Sequence, residues 1–142
     1  MSTYRLDKLF APRSIAIVGA SPREHSVGRT VLHNVISGGF PGRIHLVSPD
    51  HLEIDGVTAV ASIAALPETP DPAVIAVPPA AVLETVAAAA AKGVAAAVII
   101  TAGLGHGSLA EACAAAARPH SLRLVGPNCL GVMVPAGLPI TR

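Results

Sequence analysis

Short apolar runs alternate along the chain with stretches whose apolar residues recur at helical spacing. Five runs rich in Val, Ile and Ala, bounded by Gly, Pro, Ser or Asn, predict buried β-strands. They cover residues 14–18, 44–47, 73–77, 94–100 and 122–125. Helices are predicted between them over residues 27–36, about 81–92 and 108–118. A capping box of Ser108 and Glu111 is expected to begin the last helix, where each side chain satisfies a free N–H group.

The predicted strands begin at regular intervals, near residues 14, 44, 73, 94 and 121. Intervals of about 20 to 30 residues fit strand–helix–strand crossovers, which join parallel strands, and continuously apolar strands fit a sheet covered on both faces. A short strand at 57–60 and a turn of helix at 62–66 are also expected. The chain therefore predicts an α/β fold: a Rossmann-like, doubly wound, mostly parallel sheet of five to six strands over residues 1–131. Residues 132–142 are predicted to be a tail.

Composition supports this fold and argues against several classes of protein. Of 142 residues, 51% are hydrophobic and 2% aromatic, which argues against disorder and against a core of large rings. Lys and Arg number 10 and Asp and Glu 9, without a basic cluster, so no nucleic-acid partner is expected. Two cysteines support neither a disulfide framework nor structural zinc. Since no apolar run approaches about 20 residues, we expect a cytoplasmic protein with no membrane partner.

The loop after the first strand is the strongest candidate for ligand chemistry, because open parallel sheets bind ligands beyond the carboxyl ends of their strands. Gly19 allows a tight turn, Ser21 and Ser26 offer hydroxyls, and Gly28 would let a ligand approach the first helical turn. Backbone N–H groups at such a turn suit a phosphate. Arg23 and Arg29 could add positive charge. An ordinary strand–helix loop is the alternative interpretation.

Other candidates are weaker. The first loop lacks the G-x-G-x-x-G spacing of nicotinamide sites, yet Asp50 lies where a ribose-binding acid would lie, so NAD stays open as a less favoured ligand. His106, between two glycines, could accept a phosphoryl group or simply be solvated. Cys129 is either a nucleophile or, more in keeping with its turn, a packed structural residue. No metal site is expected in this domain.

Four segments of the chain occur in the same order and at the same spacing as the motifs of a known family. They are L-F-A-P-R-S-I-A-I-V-G-A-S at 9–21, G-F-P-G at 39–42, I-A-V-P-P at 75–79 and G-P-N-C-L-G at 126–131. Together they resemble the CoA-binding, Rossmann-like domain of NDP-forming acyl-CoA synthetases and of the succinyl-CoA synthetase alpha subunit. The resemblance covers nearly the whole chain, and the G-P-N-C-x-G turn is its most specific part.

The resemblance implies CoA or acyl-CoA as the ligand and assigns site residues to the loops after the strands. The first loop would cradle the phosphates, and the other loops would line the cofactor. The implied residues are Gly19, Ala20, Ser21, Pro22, Arg23, Ser26, Val27, Gly28, Ser48, Pro49, Val77, Pro78, Pro79, Thr101 and Asn128. The sequence departs from the family at two places: the second loop, residues 48–51, has no lysine, and His106 replaces an acidic residue.

The resemblance also implies partners. The family's phosphorylated histidine and its ATP-grasp domain lie in other domains, so this chain is not expected to be catalytic alone and would act with ligase and ATP-grasp domains of the same or a partner chain. Two alternatives stay open: an acyl-CoA-sensing domain attached to a GNAT protein lysine acetyltransferase, and an NAD-binding redox sensor. Homo-oligomer formation is left open.

Overall fold

The computed structural model describes residues 4–104 and 107–132. Its helices are α1 (Leu6–Phe10), α2 (Val27–Ser37), α3 (Pro79–Lys92) and α4 (Ser108–Ala117). Its strands are β1 (Ser14–Val18), β2 (Arg43–Val47), β3 (Glu53–Ile54), β4 (Val57–Val60), β5 (Pro72–Ile75), β6 (Ala96–Ile99) and β7 (Arg123–Val125). Single 3-10 turns cover Ile63–Ala65 and Arg118–His120.

The described strands form one seven-stranded sheet in the order β3-β4-β2-β1-β5-β6-β7. Every neighbouring pair is parallel except β3 and β4, which are antiparallel. The predicted Rossmann-like, mostly parallel α/β fold is confirmed, as are the short strand at 57–60 and the helical turn after it. The predicted strand number is one too low because β3 is only two residues long. Asp55 and Gly56 turn the chain between β3 and β4 with φ of 49° and 82°, as tight hairpins require.

The strands are continuously apolar because both faces of the sheet are covered. In β1, Ile15 and Ile17 pack with residues of α2, whereas Ala16 and Val18 belong to the cluster that α3 and α4 complete. All five β1 residues are buried. Successive side chains of a strand point to opposite faces, so a strand in the middle of such a sheet needs small or branched apolar residues at every position.

Two helix boundaries differ from the prediction. Helix α3 begins at Pro79 rather than near residue 81, since proline is favoured in the first helical turn, where its missing N–H costs nothing. The predicted capping box at Ser108 is wrong: Ser108 is already the first helical residue, Gly107 precedes it, and no side chain caps this end. Helix α1, whose Leu9 is buried against Ala96 and Val98 of β6, has too few turns to show a periodic pattern.

Among the described residues, no helix is both long and apolar enough to cross a membrane.

Candidate functional site

A cleft opens at the carboxyl edge of the sheet, where the strand order reverses. From β1 the chain proceeds to β2 and β4 on one side, then returns to place β5, β6 and β7 on the other. The loop after β1 therefore lies between the loop after β2 on one side and the loop after β5 on the other. The point where neighbouring connections run in opposite directions is the usual position of a ligand crevice in an open α/β sheet. The cleft has a volume of about 720 Å³.

The loop after β1 forms one wall of the cleft. Gly19 has φ of +98°, and a Cβ there would lie 2.6 Å from the Ala76 carbonyl oxygen, so the backbone of this loop passes directly over the end of β5. The Ser21 hydroxyl accepts hydrogen bonds from the backbone N–H of Arg23 at 3.2 Å and from its Nε at 3.4 Å. The Arg23 guanidinium is thereby held at the rim of the cleft.

Gly28 has a structural role that the sequence interpretation did not assign. It is buried in the first turn of α2, and a Cβ there would lie 2.7 Å from the Ala20 Cα and 2.8 Å from the Gly19 carbonyl oxygen. The glycine is needed so that α2 can pack against the backbone of the loop after β1. The space that a Cβ would occupy is filled by the chain itself, and the expectation that Gly28 lets a ligand approach stays a prediction.

Arg29 is likewise occupied by the protein. Its Nε and Nη2 donate to the two Asp55 carboxylate oxygens at 2.9 and 3.0 Å, and Nη1 donates to the Pro22 carbonyl oxygen at 2.8 Å. Hydrogen bonding to Asp55 raises the pKa of Arg29, and the same contact lowers the pKa of Asp55. Arg29 therefore ties the loop after β1 to the β3–β4 turn and does not add charge to the cleft.

The loop after β2 forms the opposite wall. Ser48 is only 4% exposed, its backbone N–H donates to the Val60 carbonyl oxygen at 2.8 Å, and its Oγ lies 3.2 Å from His51 Nδ1. His51 is half-buried, while Pro49 and Asp50 are exposed, and all three line the cleft with Ser48. The hydroxyl of a buried serine thus fixes the ring of a histidine on the cleft wall.

The remaining walls come from segments that sequence reasoning did not associate with the site. Glu84, Thr85 and Ala88 of α3 line the cleft, as do Ser62 and Ile63 at the start of the first 3-10 turn. Together with Ala81, these α3 residues occupy positions i, i+3, i+4 and i+7 and so form one helix face, and that spacing is the only local signal. It does not single out a ligand, because a core-facing stripe has the same period.

The structure gathers eight of the fifteen implied site residues at the cleft. These are Gly19, Ala20, Ser21, Arg23, Ser48, Pro49, Val77 and Pro78. Seven do not line it, and these are Pro22, Ser26, Val27, Gly28, Pro79, Thr101 and Asn128.

Besides Gly28, three of these seven residues have identifiable supporting roles. Ser26 caps α2, accepting from the Arg29 backbone N–H at 3.5 Å. Thr101 Oγ1 donates to the Val77 carbonyl oxygen at 2.7 Å, and the Asn128 N–H donates to the Thr101 carbonyl oxygen at 3.1 Å. These bonds link the loops after β6 and β7 to the Val77 turn behind the cleft wall.

The fixed charges of the cleft are few and of mixed sign. Arg23 is its cationic lining residue, while Asp50 and Glu84 are acidic and have no hydrogen-bond or ion-pair partner within residues 4–104 and 107–132. The rest of the lining is predominantly apolar, with Val18, Val47 and Ile63 at its floor. Such a cleft suits a ligand with both a flat apolar part and hydrogen-bonding groups.

The other candidates from the sequence do not join the cleft. Cys129 Sγ donates to the Ile99 carbonyl oxygen at 3.2 Å, in agreement with a packed structural role. Burial raises the pKa of the thiol of Cys113, a residue of α4 that packs into the core. His106 lies outside the described residues. Over the part of the chain that the structure describes, no three His, Cys, Asp or Glu side chains gather as metal ligands would.

The fold and the position of the cleft define a doubly wound α/β domain with a ligand crevice at its switch point. The CoA binding domain family matches residues 13–135, and this chain belongs to that family. The resemblance inferred from the four sequence segments is thereby confirmed.

Several similar proteins are named as CoA synthases, synthetases or ligases. The chain is 37% identical over 135 residues to the trans-feruloyl-CoA synthase FCS1 of an unknown prokaryotic organism, covering 92% of this chain and 19% of that protein. It is 35% identical over 133 residues to an ADP-forming acetate–CoA ligase of Archaeoglobus fulgidus, covering 90% and 19%. A solved acetyl-coenzyme A synthetase of Ca. Korarchaeum cryptofilum superposes with a TM-score of 0.89 at 35% identity, covering 96% of this chain and 31% of that one. This chain thus spans about a fifth of the length of these curated relatives.

Proposed function

We propose that the cleft binds CoA and that the chain is the CoA-binding module of an NDP-forming acyl-CoA synthetase, an acid–thiol ligase. The observation that carries the proposal is the cleft at the switch point of a domain from the CoA-binding family. The Korarchaeum synthetase and the Archaeoglobus ligase support it, because both have CoA chemistry in their names and match along nearly the whole of this chain.

The residues of the cleft fit the two parts of CoA. Ser21 and Arg23 of the loop after β1 would hold the phosphates, since Arg23 is the arginine of the cleft lining and lies beside the Ser21 hydroxyl. Val47, Ile63 and Pro78 would pack against the adenine. When bound, CoA supplies the thiol that accepts the acyl group.

The ligase reaction would be completed by other domains. We infer ligase and ATP-grasp domains, in the same or a partner chain, as partners, since the relatives are several times longer than this chain. Those domains would recognise the acyl group. Nothing in the cleft favours attachment to a GNAT acetyltransferase, and the relatives reported above support the ligase interpretation instead.

Calorimetric titration of the 142-residue chain with CoA, acetyl-CoA and NADH tests the ligand. We expect heat from CoA and acetyl-CoA with a one-to-one stoichiometry. Tight NADH binding without a CoA signal would overturn the proposal and favour the redox-sensor alternative, in which Asp50 would accept the ribose hydroxyls.

An Arg23→Gln variant tests where CoA binds. We expect about five-fold weaker CoA binding, because an exposed charge pair contributes roughly 1 kcal/mol. Arg118→Gln is the matched control, since Arg118 is also exposed but follows α4, away from the cleft residues. Equal affinities of Arg23→Gln and the unaltered chain would show that the loop after β1 does not hold the phosphates.

A further inference from the structure

Asp50 is an acidic group at the carboxyl end of β2, next to the loop after β1. Its strand pairs in parallel with β1, and the register ends with Val18 opposite Val47, so the two loops leave the same edge of the sheet. Asp50 is exposed on the cleft wall and has no hydrogen-bond or ion-pair partner within residues 4–104 and 107–132. In doubly wound folds, an acid at this position accepts hydrogen bonds from the ribose hydroxyls of a bound nucleotide.

The lining offers little positive charge to the phosphates of a ligand. Arg23 is the arginine of the described lining, which contains no lysine, and Arg29 of α2 is engaged by contacts within the protein. Glu84 on α3 adds a second carboxylate beside Asp50. A CoA molecule carries a diphosphate and, separately, a phosphate on the ribose 3′ oxygen. One arginine can serve the diphosphate, which leaves the 3′-phosphate without a fixed cation.

The ribose hydroxyls decide how a ligand meets Asp50. In dephospho-CoA the 2′ and 3′ hydroxyls are both free, and one carboxylate can accept a hydrogen bond from each. In CoA the 3′ oxygen is esterified, which removes one donor and places a doubly charged phosphate beside an unpaired carboxylate. The two ligands share every other group, so any difference between them in affinity arises at the ribose.

We propose that Asp50 selects for a free ribose diol, so that the cleft binds dephospho-CoA more tightly than CoA. This inference rests on the proposed CoA-binding function and narrows its ligand class to adenosine diphosphate esters of pantetheine that lack the 3′-phosphate. Such a ligand keeps the thiol, which is the group that accepts an acyl chain.

The test measures by calorimetry the affinities of CoA and dephospho-CoA for the unaltered chain, Asp50→Asn and Asp50→Lys. Asparagine keeps the size of the side chain but removes its charge, and lysine reverses the charge. Asp7→Asn is the control, since Asp7 is an exposed acid of α1 that does not line the cleft. Titrations are made at about pH 8.5, where histidine side chains are uncharged and phosphate monoesters are fully ionised.

We expect the unaltered chain and Asp7→Asn to bind dephospho-CoA about ten-fold more tightly than CoA, the combined effect of a charge-assisted hydrogen bond and a relieved repulsion. The preference should fall to about two-fold in Asp50→Asn and reverse in Asp50→Lys. A preference of the unaltered chain for CoA, or a preference that Asp50→Asn leaves unchanged, would overturn the role of Asp50 alone. Absence of binding of either ligand to the unaltered chain would instead overturn the proposed function.

Discussion

At the scale of single residues, the cleft contains side chains that the protein already uses and side chains that it leaves to a ligand. Thr85 Oγ1 donates to the Ala81 carbonyl oxygen at 2.7 Å and so is satisfied within α3. Arg29, which the sequence suggested could add positive charge, is satisfied by Asp55 and Pro22. Asp50, by contrast, is exposed on the cleft wall without such a partner in the described residues.

Asp50→Asn should tighten CoA binding. Removing a carboxylate from the lining removes its repulsion of the ligand phosphates, and a solvent-screened interaction of about 0.5 to 1 kcal/mol corresponds to a gain in affinity of roughly two- to five-fold. Calorimetry at low and high salt measures the CoA affinity of both chains, and the gain in affinity should shrink as salt is added.

Asp7→Asn is the matched control for this substitution, because Asp7 is an exposed acid of α1 outside the cleft. Weaker binding by Asp50→Asn would contradict the repulsion and show that the carboxylate accepts hydrogen bonds from the ligand, as it would from a ribose.

At the scale of elements, the entry into α2 depends on close backbone packing. The loop after β1 turns at Gly19, and α2 begins against it at Gly28. Both glycines are present because a side chain would meet backbone atoms rather than a flexible neighbour. The glycines of this loop are therefore expected to matter for stability at least as much as for ligand binding.

Gly28→Ala should destabilise the domain by about 1 to 3 kcal/mol, the usual cost of forcing an extra carbon into a packed site. The measurement is the free energy of unfolding in urea, without ligand. Gly38→Ala serves as the control, since Gly38 ends α2 with φ of −72° and ψ of −5°, a conformation that alanine readily adopts. Unchanged stability of Gly28→Ala would be incompatible with the packing described for α2.

The strands and helices also show which elements the local sequence pattern predicts and which it does not. The apolar runs predicted β1, β2, β5, β6 and β7 and the crossovers between them, because a buried strand requires apolar residues at consecutive positions. The hairpin strand β3 and helix α1 are too short to carry a period. At Ser108 the capping motif is present, but the helix begins one residue too early for the serine to serve as its cap.

At the scale of the whole molecule, a charged cluster joins β2 to the segment that leads into β5. Glu68 Oε1 lies 2.6 Å from Arg43 Nε and 2.7 Å from His45 Nε2. Hydrogen bonds from Arg43 and His45 lower the pKa of the Glu68 carboxyl from 4.5 to about 2. A carboxyl whose pKa is lower in the folded than in the unfolded state stabilises the fold above its unfolded value.

Glu68→Gln should therefore lower the melting temperature at pH 7, and its difference from the unaltered chain should disappear as the pH falls from about 4.5 to about 2. Thermal unfolding followed by circular dichroism at several pH values measures the difference. Glu111→Gln is the control, since Glu111 is exposed on α4. A Glu68→Gln difference that is constant with pH would show that the ion pairs do not stabilise the fold.

The sequence by itself determined the class of fold, the alternation of strands and helices, and the concentration of Gly, Pro and Ser at strand ends, because these depend on residues close together in the chain. Its four segments also identified the family. Only the tertiary structure decided which loops share a cleft. Strand order brings Ser48, Glu84 and Arg23 to one cleft and leaves Thr101 and Asn128 behind its wall. Contacts such as that of Arg29 with Asp55, 26 residues apart, arise from this order and have no local sequence pattern.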